Sequence, residues 1–96
     1  MLSLSSRVKA NRDVVFRDLQ GELVLLNLKS GVYFGLDPVG TRMWQRLHEH
    51  RSLHEVLAAL LDEYDVAETR CERDLVGFVR ALVENELVTL ESGPPA

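Results

Sequence analysis

One change of period constrains this chain more than any other feature: its apolar residues keep strand spacing up to Leu36 and helix spacing from Asp37-Pro38 onward. Val14-Val15-Phe16-Arg17 and Leu23-Val24-Leu25-Leu26-Asn27-Leu28 are β-prone runs. Between them, Asp18-Leu19-Gln20-Gly21 predicts a turn in which glycine supplies positive φ. Lys29-Ser30-Gly31 signals a second turn, leading into the branched and aromatic run Val32-Tyr33-Phe34-Gly35-Leu36. Together these predict a three-stranded antiparallel meander.

Helices follow. Asp37 can cap free backbone N–H groups, and Pro38 is pre-set for the first helical position. Val39, Met43, Trp44 and Leu47 recur at three- and four-residue spacing, which predicts a buried stripe on a helix reaching about Glu49, with Arg42, Gln45, Arg46 and Glu49 outward. Ser52 and Glu55 match a capping box for a second helix with the stripe Leu53, Val56, Leu57, Leu60 and Leu61, ending near Tyr64-Asp65. A third helix is expected from about Glu68 to Asn85, then a short strand at Leu87-Val88-Thr89-Leu90 and a flexible tail at 92–96. The expected fold class is α+β, with one domain over residues 1–91, because 96 residues without repeats leave no room for a second.

Charge and cysteine content narrow the partners. Lys and Arg number 11 against 15 Asp and Glu, a net charge of −4. Residues 1–50 hold 7 basic and 5 acidic side chains, whereas residues 51–96 hold 4 basic and 10 acidic. Such a C-terminal half lacks the clustered cations that neutralise phosphates, so no nucleic acid is expected. The single cysteine, Cys71, rules out an intrachain disulfide and a multi-cysteine zinc site. The first residues, Met1 to Ser6, have neither the charged start nor the apolar run of a signal peptide, and no stretch of about 18 apolar residues occurs. A cytoplasmic chain without a membrane partner is therefore expected. Its fold must hold by packing alone, so exposed apolar side chains call for a partner.

The chain has such side chains to spare. Leu23 and Leu25 alternate with Val24, Leu26 and Leu28, so the second strand is apolar on both faces, and Tyr33 opposes Val32, Phe34 and Leu36 in the third. One layer of helices covers one face. Either the other face is exposed, or the N-terminal strand and tail fold over it. In the third helix Cys71, Leu75, Phe78 and Leu82 form one stripe and Val76, Val79 and Val83 a neighbouring one. Both stripes can be buried, or one can border the open edge of the third strand. An open edge beside an apolar helix suits an added peptide strand, with backbone bonds giving affinity and side-chain pockets giving register.

Residues with chemical potential lead elsewhere. His48, His50 and His54 invite a metal reading, but His48 and His50 lie two residues apart around a helix end, a spacing that does not bring side chains together, so solvated or capping roles suit them better. Cys71 lies in an apolar stripe and reads as a small buried hydrophobe. Gly21, Gly31, Gly35 and Gly40 form no phosphate loop, and Asp62-Glu63, Glu84 and Glu86 read as solvated surface. Trp44 and the Tyr33-Phe34 pair suit a core or a groove lining. Asp74, between Cys71 and Leu75, either pairs with Arg70 or Arg73 or faces a ligand, pairing being the simpler reading. Neither an enzyme nor a cofactor is expected.

The run Leu25-Leu26-Asn27-Leu28-Lys29-Ser30-Gly31-Val32-Tyr33-Phe34-Gly35-Leu36-Asp37-Pro38-Val39-Gly40-Thr41-Arg42-Met43-Trp44 resembles the signature of the PqqD family, approximately L-L-x-L-x-[ST]-G-x-Y-[FY]-x-L-[DN]-x-x-G-x-x-[IVM]-W. Ser52-Leu53-His54-Glu55-Val56, Tyr64-Asp65-Val66, Arg73-Asp74-Leu75 and Leu82-Val83-Glu84-Asn85-Glu86-Leu87-Val88 are similar to its later blocks, extending the resemblance over about residues 7–90. The resemblance implies a winged-helix-like recognition element for ribosomally made precursor peptides, three strands followed by three helices, that adds the leader peptide as a strand on the third strand's edge against the third helix. By position it places Val32, Tyr33, Phe34, Gly35 and Leu36 on one side of the leader and Arg70, Arg73, Asp74, Val76 and Phe78 on the other, with Leu25 and Leu26 nearby. Gly-Val-Tyr-Phe and Asp-Pro-Val-Gly-Thr look more like stand-alone leader-binding proteins of lasso-peptide pathways than like proteins of the pyrroloquinoline quinone pathway. A separate leader peptidase is then the implied partner, ahead of a radical-SAM enzyme.

The expected function is a non-catalytic adaptor, monomeric or dimeric, that holds a leader and so raises the precursor's effective concentration at a maturation enzyme. The acidic C-terminal half favours a leader with basic residues around its apolar anchors. A winged-helix DNA-binding transcription regulator is the competing reading. Its recognition helix would carry Glu68, Glu72, Asp74 and Glu84 against Arg70, Arg73 and Arg80, a poor match to phosphate.

Overall fold

The computed structural model describes residues 2, 4, 6–49 and 52–91, so the expected tail at 92–96 and His50 lie outside the described residues. In chain order the elements are β1 (Arg7–Ala10), β2 (Val14–Leu19), β3 (Glu22–Asn27), β4 (Tyr33–Gly35), α1 (Pro38–Glu49), α2 (Leu53–Glu63), α3 (Glu68–Glu84) and β5 (Val88–Glu91). This is the α+β order read from the sequence, including the short strand expected after the third helix, with one strand, β1, added before the meander.

Turn chemistry sets the sheet register. Gln20 and Gly21 both take left-handed φ, 59° and 89°, the geometry that matches a two-residue reversal to strand twist. The expected four-residue turn therefore shrinks, and β2 runs on through Asp18 and Leu19, with Asp18 Oδ1 accepting from the Gly21 N–H at 2.8 Å. At the second turn Asn27 Oδ1 accepts from the N–H groups of Lys29 and Ser30 at 2.9 and 3.1 Å, and Gly31 supplies a φ of 76°. The sheet order is β2-β3-β4, antiparallel throughout.

β1 and β5 pair with each other in a separate two-stranded sheet. The N-terminal strand thus does not cover the outer face of β2-β3-β4. Asn27, buried at the end of β3, donates through Nδ2 to the Glu86 carbonyl at 2.7 Å, and Asn11 donates to the same oxygen. That shared acceptor ties the two sheets together.

The helices pack on the other face. Asp37 caps α1, its Oδ1 accepting from the Gly40 N–H at 2.7 Å, and Thr41 Oγ1 accepts from the Leu23 N–H at 3.1 Å, which fixes α1 to β3. Ser52 and Glu55 form the expected capping box of α2. Leu25, Trp44, Leu53, Leu60, Leu75 and Leu82 are the centre of the core, each contributing about 1.5–3 kcal/mol of burial. Arg42 and Arg46 of α1 pair with Glu63 of α2; such surface pairs contribute about 0–1 kcal/mol each, so they align the helices more than they hold them.

Two stripes differ from expectation. Val39 is exposed, because the first turn of α1 overhangs the junction with α3. In α3 the buried row is Cys71, Leu75, Val79 and Leu82, while Phe78 is only half-buried. Spacings of four, four and three keep that row on one face, and Phe78 falls about 60° to its side.

Candidate functional site

β4 is an edge strand, and its backbone pairing dictates what the free edge displays. Leu36 N–H donates to the Leu23 carbonyl at 2.8 Å and Asn27 N–H to the Val32 carbonyl at 3.0 Å. Bonded and non-bonded pairs alternate along an antiparallel ladder, so residues 32, 34 and 36 turn their backbone toward β3, while Tyr33 and Gly35 turn theirs away. Among the described residues no strand lies on that side. The N–H and C=O groups of Tyr33 and Gly35 are open to an added strand. Four such bonds would net about 2–6 kcal/mol, short of the roughly 8 kcal/mol of a micromolar complex, so side-chain pockets must supply the rest.

α3 supplies them. A Cβ placed on Gly40 would lie 3.4 Å from Phe78 Cε1 and 3.5 Å from Leu36 Cβ, so the end of β4, the first turn of α1 and the middle of α3 meet at one corner. One and two turns back along α3, Asp74 and Arg70 join Val39, Met43, Leu60, Tyr64, Val66 and Cys71 around a mostly apolar pocket of about 240 Å³. Asp74 makes no ion pair among the described residues, so the expected pairing with Arg70 or Arg73 is not formed. Burial first, and the Asp74 carboxylate second, push the Cys71 thiol above its ordinary 9.0. At neutral pH it is a protonated wall of the pocket and not a nucleophile.

The residues expected at the site divide by position. Val32, Phe34 and Leu36 share the helix side of the sheet, Gly35 lies at the open edge, and Phe78, Asp74 and Arg70 form the α3 flank facing the corner. Leu25, the cross-strand partner of Phe34, is fully enclosed and offers no contact surface. Leu26 and Tyr33 point to the opposite face of the sheet. Val76 and Arg73 sit about 160° and 140° around α3 from Phe78, away from the corner, because the buried row passes through Val79. The pocket residues Val39, Met43, Leu60, Tyr64 and Val66 were not singled out from the sequence as site residues. One signal for this corner existed: a glycine in a helix costs about 1 kcal/mol, and Gly40 marks a close approach.

Elsewhere, His48 Nδ1 lies 2.8 Å from the Trp44 carbonyl, its ring 4.6 Å from the Trp44 ring. Among the described residues no group of three His, Cys, Asp or Glu side chains is placed to hold a metal, and no helix is long and apolar enough to cross a membrane.

Comparison with known proteins identifies a family and two similar structures. The sequence profile described as coenzyme PQQ synthesis protein D (PqqD) matches residues 22–88. No curated protein sequence matches. Two solved structures do. TbiB1 in complex with the TbiA(beta) leader peptide is 42% identical, covering 91% of this chain and 99% of that one, with a TM-score of 0.78. Lasso peptide synthetase B1 complexed with the leader peptide is 29% identical, covering 86% and 98%, with a TM-score of 0.79. These comparisons lend no support to the DNA-binding regulator.

Proposed function

The chain belongs to the PqqD family, and we propose that it is a leader-binding adaptor of ribosomal peptide biosynthesis that acts without catalysis of its own. The observation that carries this reading is the free β4 edge, with Tyr33 and Gly35 backbone groups turned outward beside the Phe78–Asp74 flank of α3. A leader entering as a strand there gains backbone bonds from β4, and its alternate side chains reach the α3 corner and the pocket behind it. Holding the leader raises the concentration of the attached core peptide at a maturation enzyme. Likeness to lasso peptide synthetase B1 favours a lasso-type leader peptidase over a radical-SAM enzyme as that partner, in the cytoplasm.

Calorimetric titration of the protein with the synthetic leader of its own precursor tests the proposal. One-to-one binding that survives removal of the core peptide is expected; binding that needs the core, or none at all, would overturn it.

A further inference from the structure

Five glycines lie among the described residues, and folding accounts for three of them. Gly21 and Gly31 take left-handed φ, and a Cβ on Gly40 would press on Asp37, Phe78 and Leu36. Gly35 and Gly77 have neither reason. Their φ values are ordinary, and a Cβ on either would meet open space, with no atom beyond the local backbone within 4 Å. Each is nonetheless a cost to the fold, since glycine inside a strand or helix is destabilising relative to alanine. Their positions are related: Gly35 precedes Leu36 and Gly77 precedes Phe78, the two residues that meet at the corner over Gly40. The two unexplained glycines thus stand on opposite walls of the cleft, one on the β4 edge and one on α3. Gly77 is exposed and lies about 20° around α3 from Arg70 and about 60° from Asp74, which line the pocket at one end of that cleft. Gly35, paired with Val24, turns the place of its missing side chain to the outer face, onto a shallow concavity of about 420 Å³.

Resting on the leader-binding reading, we infer that Gly35 and Gly77 are specificity-determining residues of the cleft, each leaving a space that a large apolar side chain of the leader fills. A strand added to β4 sends consecutive side chains to opposite faces, so one reaches outward beside Gly35 while its neighbour in sequence points inward to α3. Outward, a bulky side chain covers the bare backbone of the glycine, as cross-strand aromatics do for edge glycines. Inward, the missing Cβ at Gly77 lets the incoming side chain come against the helix backbone. Leu19, Val24 and Leu36 border the first space and Ala81, one turn on from Gly77, adjoins the second, which suits apolar occupants at both.

The test titrates the synthetic leader of the protein's own precursor into wild type, Gly77→Ala, Gly77→Leu and Gly35→Val, with a thermal melt of each. Gly77→Ala and Gly77→Leu should raise the melting temperature by about 3–8 °C, because helix propensity rises and nothing inside the fold is struck. Gly77→Leu and Gly35→Val should each weaken leader binding about tenfold, because the space is already filled when the leader arrives. A second series replaces the large apolar residues of the leader with alanine one at a time. The residue that fills the Gly77 space should cost affinity against wild type and little or none against Gly77→Leu. Variants that bind leader as tightly as wild type, or leader substitutions whose costs add to those of the variants, would overturn the assignment of the glycines and leave leader binding standing. A lower melting temperature for Gly77→Ala would give that glycine a role in the fold and overturn its part in specificity. Wild-type protein that binds no leader overturns the leader-binding reading itself.

Discussion

At the scale of single residues, the Cys71 thiol illustrates how burial decides chemistry. It lines the pocket beside Asp74, yet desolvation, with help from that carboxylate, raises its pKa above 9.0. The folded protein therefore keeps a proton that the unfolded chain releases, so this group favours folding below about pH 9 and its contribution fades as pH rises beyond that. Thermal melts between about pH 8 and pH 10.5 should show wild type losing more stability than Cys71→Ser. Native alkylation by iodoacetamide at neutral pH should be slow, and Cys71→Ser should bind leader as wild type does. Rapid labelling of the folded protein would place an accessible thiolate here instead.

At the scale of elements, the alternation along β4 makes neighbouring residues unequal. The Gly35 N–H faces the open edge, and the Phe34 N–H faces β3. Proline is tolerated in a strand where its missing donor is on the solvent side. Gly35→Pro should leave the melting temperature nearly unchanged and weaken leader binding about tenfold, while Phe34→Pro should cost stability as well; calorimetry and circular dichroism on the two variants check this. Equal damage from both would mean the edge is not the binding element. Strand and helix boundaries near this site were legible, since Gly31, Asp37-Pro38 and the Ser52–Glu55 box are local signals. The phase of α3 was not. Apolar residues at 71, 75, 76, 78, 79, 82 and 83 permit two buried rows, and only packing selects the row through Val79, which carries Val76 away from the corner and leaves Phe78 at it. β1 was missed for a related reason: Arg7-Val8-Lys9-Ala10 has a weak pattern, and its partner lies at the far end of the chain.

At the scale of the whole molecule, the chain forms a slab of 35 × 34 × 19 Å whose main sheet has, among the described residues, two free edges, not one. On β2, Leu28 N–H donates to the Asp13 carbonyl at 2.8 Å, so by the same alternation Phe16 and Asp18 turn their backbone groups outward, as Tyr33 and Gly35 do on β4. Backbone geometry alone does not choose between them. The surroundings do: beside β2 stand Trp44 and His48 of α1 over a shallow depression, whereas beside β4 the Phe78 flank of α3 leads into an apolar pocket lined by Asp74. Asp74 also belongs to the acidic half, which suits a leader bearing basic residues. Hydrogen exchange with and without leader separates the two edges. Leader binding should slow exchange at the Tyr33 and Gly35 amides and leave Phe16 and Asp18 as fast as in the free protein. Protection at Phe16 and Asp18 instead would put the peptide on the β2 edge, beside α1 and against the far side of the same sheet.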